Sequence, residues 1–198
     1  ELNCETDFVA KSDQFIELGK QIVAAIVDQI VPTVDDIKSI QLNGRVVSDL
    51  IADAVLQLGE NIMIGNFKQR TSNHDGMFSD YVHGNGKIGV IIEFNALIDA
   101  ALGKDIAMQV AAMNPPYVSP DQVPSNDLEN ERDILKKQAL SEGKPEAVAD
   151  KIVAGRIAKF YKENCLTEQQ FVKDNDKTIQ SLLSNETKVI SFERFSLE

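Results

Sequence analysis

The chain has 198 residues, enough for one large domain or two small ones with a real core. Its 31 acidic against 20 basic residues leave a formal charge of −11, which argues against nucleic acid or an anionic membrane as the main partner, because phosphate binding needs clustered Lys and Arg. Hydrophobic content of 43% and charged content of 26% are those of a globular protein, and 6% aromatic with no Trp predicts a core of Ile, Val, Leu and Ala.

No apolar run reaches the ~20 residues of a membrane span, and no signal-peptide pattern opens the chain. Cys4 and Cys165 are too few for a disulfide framework and have no metal-ligand spacing, so reduced thiols in a cytoplasm-like compartment are expected. The opening Glu1-Leu2-Asn3-Cys4 reads as the end of a strand, and the chain as a fragment of a longer one. Thr6-Asp7-Phe8-Val9 then forms a tip ahead of a helix. An acid followed by a large aromatic in a short connector suits a partner anchor. Phe8 folded back onto the core is the competing reading.

Ser12 or Asp13 is placed to cap a helix whose stripe runs Phe15, Gly19, Ile22, Ile26 and Ile30, widened by Val23 and Val27 and stopped by Pro32. Thr33 caps a short helix with Ile37 and Ile40, and Asn43-Gly44 punctuates. A further helix carries Val47, Leu50, Ile51, Ala54 and Leu58, with Gly59 as its C-cap. Ile62, Ile64 and Phe67 alternate as a strand, and Gln69 to Asp80 reads as a polar loop. Tyr81-Val82-His83 and Ile88 to Phe94 flank Asn85-Gly86, a hairpin signal. Val90 to Ile92 suggest a central strand covered on both faces. Asn95 is expected to cap a helix with Ile98, Leu102, Ile106, Val110 and Met113, ended by Asn114-Pro115-Pro116.

Ser125 to Asn164 is the most polar helical region. Leu128, Leu135 and Ala139, then a Gly143-Lys144-Pro145 turn, then Val148, Ile152, Ile157, Phe160 and Tyr161 predict a protruding antiparallel hairpin with a coiled-coil seam. Phe171-Val172 returns to the body, a short helix holds Ile179, Leu182 and Leu183, and Val189 to Phe195 closes as a strand.

An internal echo points to a duplicated plan. Glu1-Leu2-Asn3 returns as Glu93-Phe94-Asn95, Leu18-Gly19-Lys20 as Leu102-Gly103-Lys104, and the spacing of Ile62, Ile64 and Phe67 as Ile190, Phe192 and Phe195. The expected fold is α+β: two related subdomains of small antiparallel sheets packed with helices, 1–92 and 93–198, the second carrying the hairpin 125–164 as an insertion. Between Glu1 and Leu18 the offset is 17, between Glu93 and Leu102 it is 9, so the first copy holds eight extra residues, Thr6 to Val9 among them. An addition beyond what folding needs is where function concentrates.

Catalysis finds little support. His74 and His83 are the only imidazoles, and there is no HExxH, GxSxG, GxGxxG or phosphate-cradling loop. Cys4 has only acids beside it, which raise a thiol pKa. Asp35-Asp36 and Asp49/Asp53 sit on polar helix faces. The residues predict no enzyme and no cofactor.

Glu1 to Lys11 resembles, at every position, the signature of the elongation factor Ts family. The resemblance extends in order through Leu58-Gly59-Glu60-Asn61-Ile62, the Tyr81-to-Gly89 hairpin, the Ile106-to-Ala112 helix, the Gly143-Lys144-Pro145 turn, Phe171-Val172 and the closing strand. It implies a guanine-nucleotide exchange factor for elongation factor Tu, with a two-subdomain core and a helical hairpin. It further implies that Asp7 and Phe8 wedge into the G domain of Tu near the magnesium site, displacing a helix and weakening Mg²⁺ and phosphate binding. Leu58, Gly59, His83 and Val172 match further contacts of the family, although Leu58 stands where better-known members carry Ile, a swap that keeps volume. Read from the residues alone, Leu58 is a core residue, Gly59 a C-cap, His83 a solvated turn histidine and Val172 a strand residue.

The family's N-terminal helical domain, and a strand to pair with Leu2 and Cys4, would precede Glu1, so weaker binding to Tu than a longer factor is expected, with a bacterial cytoplasm or an organelle matrix as the compartment. The alternative function is a non-enzymatic interaction or dimerisation module acting through the hairpin 125–164.

Overall fold

The computed structural model describes residues 1–72, 75–84, 86–184 and 186–197, with the Ala147 side chain left aside. Contacts divide the chain into two units, Glu1–Thr71 and Ser72–Glu198. The break falls ahead of the expected boundary at residue 92 because the strand ending at Phe94 pairs on both of its edges within the second unit. His74 and Asn85 lie outside the described residues.

The first unit opens with β1 (Leu2–Asn3) and a single turn, α1 (Asp7–Ala10). The long helix α2 (Asp13–Ile26) starts where the Ser12 Oγ accepts the Phe15 N–H at 3.3 Å. Its buried stripe is Phe15, Leu18, Ile22 and Ile26, one side of a 3.6-residue period. The helix ends sooner than the apolar run suggests. Val23 and Val27 are exposed and Ile30 lies beyond the helix, because the Gln69 amide reaches back to cap it, donating to Ile26 O at 3.1 Å and Gln29 O at 2.6 Å.

Thr33 and Asp36 form a capping box for α3 (Val34–Lys38), which buries Ile37. Asn43-Gly44, both at positive φ, turns a small hairpin of β2 (Gln41–Leu42) and β3 (Arg45–Val46) that periodicity did not reveal. Then α4 (Val47–Leu58) buries Val47 completely and ends at Gly59. The strand expected to reach Phe67 is short: β4 (Met63–Ile64) pairs antiparallel with β1, Leu2 opposite Ile64. The strand β1 therefore has a partner within the unit, where one upstream of Glu1 was expected. Where α2 passes Leu2, a Cβ at Gly19 would sit in ordinary van der Waals contact with the Leu2 side chain at 3.8 Å.

The second unit is built on a three-stranded antiparallel sheet, β5 (Met77–His83), β6 (Ile88–Phe94) and β9 (Val189–Ser196), with β6 central. The strand β5 begins inside the stretch read as a polar loop, because Met77, Ser79 and Tyr81 alternate toward the core. One face of β6 buries Val90, Ile92 and Phe94, but Ile91 on the other is 41% exposed, so the strand is central without being covered on both faces. Helix α5 (Ala100–Met113) packs on the buried face, burying Ile106, Ala107 and Val110. Burying an Ile or Val side chain contributes roughly 1.5–3 kcal/mol.

Asp99, not Asn95, caps α5, accepting the Leu102 N–H at 3.0 Å; Asn95 instead bridges to the segment before β9, donating to Glu186 O and accepting from Lys188 N–H. Helices α6 (Ser125–Ser141) and α7 (Glu146–Asn164) follow. Their four-residue link and the cross-pairs Lys136–Glu146, Lys136–Asp150 and Arg156–Glu142 set them antiparallel over Leu135, Ala139, Ala149 and Ile157. The unit then adds a hairpin of β7 (Gln170–Phe171) and β8 (Asp174–Thr178) and the short α8 (Ile179–Leu182) before β9.

Both units thus run strand, helix, excursion and antiparallel return strand: β1, α2 and β4 in the first, β6, α5 and β9 in the second. The α+β class holds.

Candidate partner-binding tip

The site is built from the single turn α1. Thr6 is extended and its Oγ1 accepts the Val9 N–H at 3.4 Å, which starts the turn. Ser12 ends it by donating from Oγ to Val9 O at 2.8 Å, and caps α2 with the same oxygen. Val9 is buried at 9% exposure while Phe8, one residue earlier, is 89% exposed. Adjacent residues on a helix diverge by ~100°, so seating Val9 in the core turns Phe8 outward.

The strongest support for this turn comes from far along the chain. Glu60 Oε2 accepts the backbone N–H groups of Glu5 at 3.0 Å and Thr6 at 2.9 Å, and its Oε1 accepts the Thr6 hydroxyl. These bonds, the Thr6 hydroxyl foremost, hold the Glu60 carboxyl below the usual glutamate range. Glu60 is aimed there by Gly59, which ends α4 with a left-handed φ of 73° and donates its N–H to Val55 O at 2.9 Å. Any other residue at Gly59 would be strained by that φ even though space is open around it. Leu58 packs partly buried against the first unit's core. Glu60, next after Leu58-Gly59, therefore ties the end of α4 to Glu5 and Thr6, the residues just before Asp7-Phe8. The residues had marked Glu60 only as part of a motif; its carboxylate just after a helix C-cap was the available signal.

Cys4 donates weakly to Thr6 O at 3.4 Å, and burial, then the Glu60 charge, pushes its thiol above the ordinary value. A thiol so placed is a poor nucleophile. Among the described residues no group of His, Cys, Asp and Glu could hold a metal, and no helix is long and apolar enough to cross a membrane.

His83 and Val172 belong to the second unit. His83 ends β5 in an exposed position, its Nδ1 3.0 Å from the Tyr81 hydroxyl and its ring stacked on that of Tyr81 with centroids 5.9 Å apart. Val172 is in the two-residue turn joining β7 to β8, not within a strand, and is 41% exposed. That turn is fixed to α5 twice. The Val172 N–H donates to Gln109 Oε1 at 2.9 Å, and Lys173 Nζ pairs with Asp105 at 2.6 Å. Gln109, fully buried, also donates to Gln169 Oε1 and Gln170 O, both at 3.1 Å. Neither Gln109 nor Asp105 was visible as a functional support in the sequence.

The described residues thus present an aromatic side chain on a buttressed turn of the first unit, and an exposed imidazole at a strand end and an exposed valine on a turn of the second. A family profile described as elongation factor TS matches residues 5–198, nearly the whole chain. The chain belongs to the elongation factor Ts family, and with membership comes the role of nucleotide exchange factor for elongation factor Tu in translation elongation, a role without covalent catalysis.

Proposed function

We propose that this chain promotes GDP release from elongation factor Tu by inserting Phe8, steered by Asp7, beside the magnesium site of the Tu G domain. The observation that carries the reading is the 89% exposure of Phe8 on a turn whose next residue is buried. A large apolar ring kept in water costs free energy that docking recovers, and a rigid mount lowers the entropy lost on binding. Leu58 and Gly59 support the same surface, and His83 and Val172 are further contacts.

The mechanism is reciprocal coupling. If the factor and GDP each bind Tu but weaken one another, the two affinities fall by the same factor. Burying one Phe is worth roughly 1.5–3 kcal/mol, one to two decades in affinity. Phe8 therefore supplies part of the coupling, and the remaining contacts hold the wedge in place. The compartment that fits is a bacterial cytoplasm or an organelle matrix, where Tu works.

Stopped-flow release of a fluorescent GDP from Tu, with this chain titrated in, tests the reading. Phe8→Ala should slow the accelerated release by about one to two decades while the fold is unchanged. Equal rates for the two proteins would overturn it.

A second use is carried by the hairpin, where Ile134, Leu140 and Val148 are exposed on α6 and α7. Pairing of two copies through this surface would show as a dimer in sedimentation without Tu; a monomer would remove it.

A further inference from the structure

We infer that Glu60 is the positioning residue of the Phe8 tip: its carboxylate holds the first turn of the chain in the shape that presents the ring. The inference rests on the exchange reading of Phe8 given above.

A four-residue helix has no independent stability in water, because fixing its first turn costs more backbone entropy than one hydrogen bond returns. Something outside α1 must hold it. Val9 seats one side in the core. The other end, Glu5 to Phe8, is exposed, and there Glu60 supplies tertiary hydrogen bonds across 54 and 55 positions of sequence. One carboxylate meets three donors of two consecutive residues, two N–H groups and the Thr6 hydroxyl. That fixes Thr6 as the N-cap, so its Oγ1 both donates to Glu60 and accepts from Val9.

The residue type follows from this count. A Gln at 60 keeps one acceptor oxygen but turns the other into a donor, facing groups that also donate. Asp is one methylene shorter on a backbone whose position Gly59 already sets. A carboxylate also lies favourably just ahead of the N-terminal end of a turn, where it meets the N-cap N–H. Without Glu60 the tip samples other shapes, and the apparent affinity for Tu falls by the fraction of molecules still competent, about three- to tenfold for a loosened turn.

Glu60→Ala and Glu60→Gln, made in the whole chain, test this without presupposing what Phe8 does. In the free protein, the Glu5, Thr6 and Val9 amides of Glu60→Ala should exchange with solvent several-fold faster while the Val55 amide in α4 keeps its protection, with Glu60→Gln between. In the GDP-release assay, Glu60→Ala should need about three- to tenfold more protein for half-maximal acceleration, with the maximal rate near that of the parent. Combined with Phe8→Ala it should cost no more than Phe8→Ala alone, since a mount matters only while it carries something.

Unchanged amide exchange at Thr6, or loss of protection spread evenly into α4, would overturn the inference. So would fully additive losses in the double variant, which would mean that Glu60 itself touches Tu. If Phe8→Ala leaves GDP release untouched, the exchange reading fails, and the amide measurement still decides whether Glu60 holds the turn.

Discussion

Phe8 and Val172 are both apolar side chains set out on turns, but their mounts obey different physics. The Phe8 turn is held by an ionised carboxylate in contact with water, reaching from α4 to Thr6. The Val172 turn is held by a neutral amide, Gln109, buried beneath it, with an ion pair at the rim. An exposed charged clamp can be loosened by protonation with little effect on the core, whereas a buried amide is tied to the packing around it. The first unit therefore carries a tip that can be tuned separately, and the second a tip whose geometry is inseparable from folding.

The largest separation between the two should come from removing Gln109. Gln109→Leu leaves the buried Gln169 Oε1 and the partly buried Val172 N–H and Gln170 O without their partner; a buried unsatisfied group costs about 1–3 kcal/mol and one that water can reach costs less, so urea unfolding of the second unit should shift by about 2–4 kcal/mol. Phe8→Ala, measured in the same way, should stay within about 0.5 kcal/mol of the parent because the ring touches so little.

Acid should act in the opposite order. The Glu60 pKa is lowered in the folded state, so its contribution is complete above the ordinary glutamate value and is lost as pH falls through the lowered one. The Thr6 amide signal in NMR should titrate over that range, and the Val172 amide should not follow Glu60, since its partner Gln109 carries no proton to gain.

A smaller effect is expected at the rim of the second mount. The Lys173 and Asp105 side chains are 51% and 29% exposed, so Lys173→Ala should cost at most about 1 kcal/mol, less in high salt. The smallest is a labelling difference. Burial, then Glu168, pushes the Cys165 thiol up to about 11, and Cys4 is raised less and lies half-buried. Iodoacetamide at neutral pH should label Cys4 slowly and leave Cys165 intact in the native protein; the reverse would mean the second unit opens readily.

Much of this was legible in the chain. Ser12, Thr33 and Gly59 announced helix ends because caps are local chemistry, satisfied within four residues. The Thr6-to-Val9 connector was legible as a short link between a strand and a cap, although the direction of the Phe8 ring was not. Periodicity misled where something distant intervened. Gln69 stopped α2 before Ile30, and Asn95 was drawn to Glu186 and Lys188, leaving Asp99 to cap α5. Met77 to Asp80 read as loop because a strand exposed on one face carries polar residues there.

By itself, the order of residues determined the α+β class and most helix ends, because each depends on spacing within a turn or a strand. Only the tertiary structure decided which way Phe8 faces, that β4 pairs with β1, and that Glu60 and Gln109 stand behind the two tips. Those are meetings between residues some fifty-four to sixty-three positions apart; only the packing of a whole unit brings such groups within hydrogen-bonding reach, and no local pattern records it.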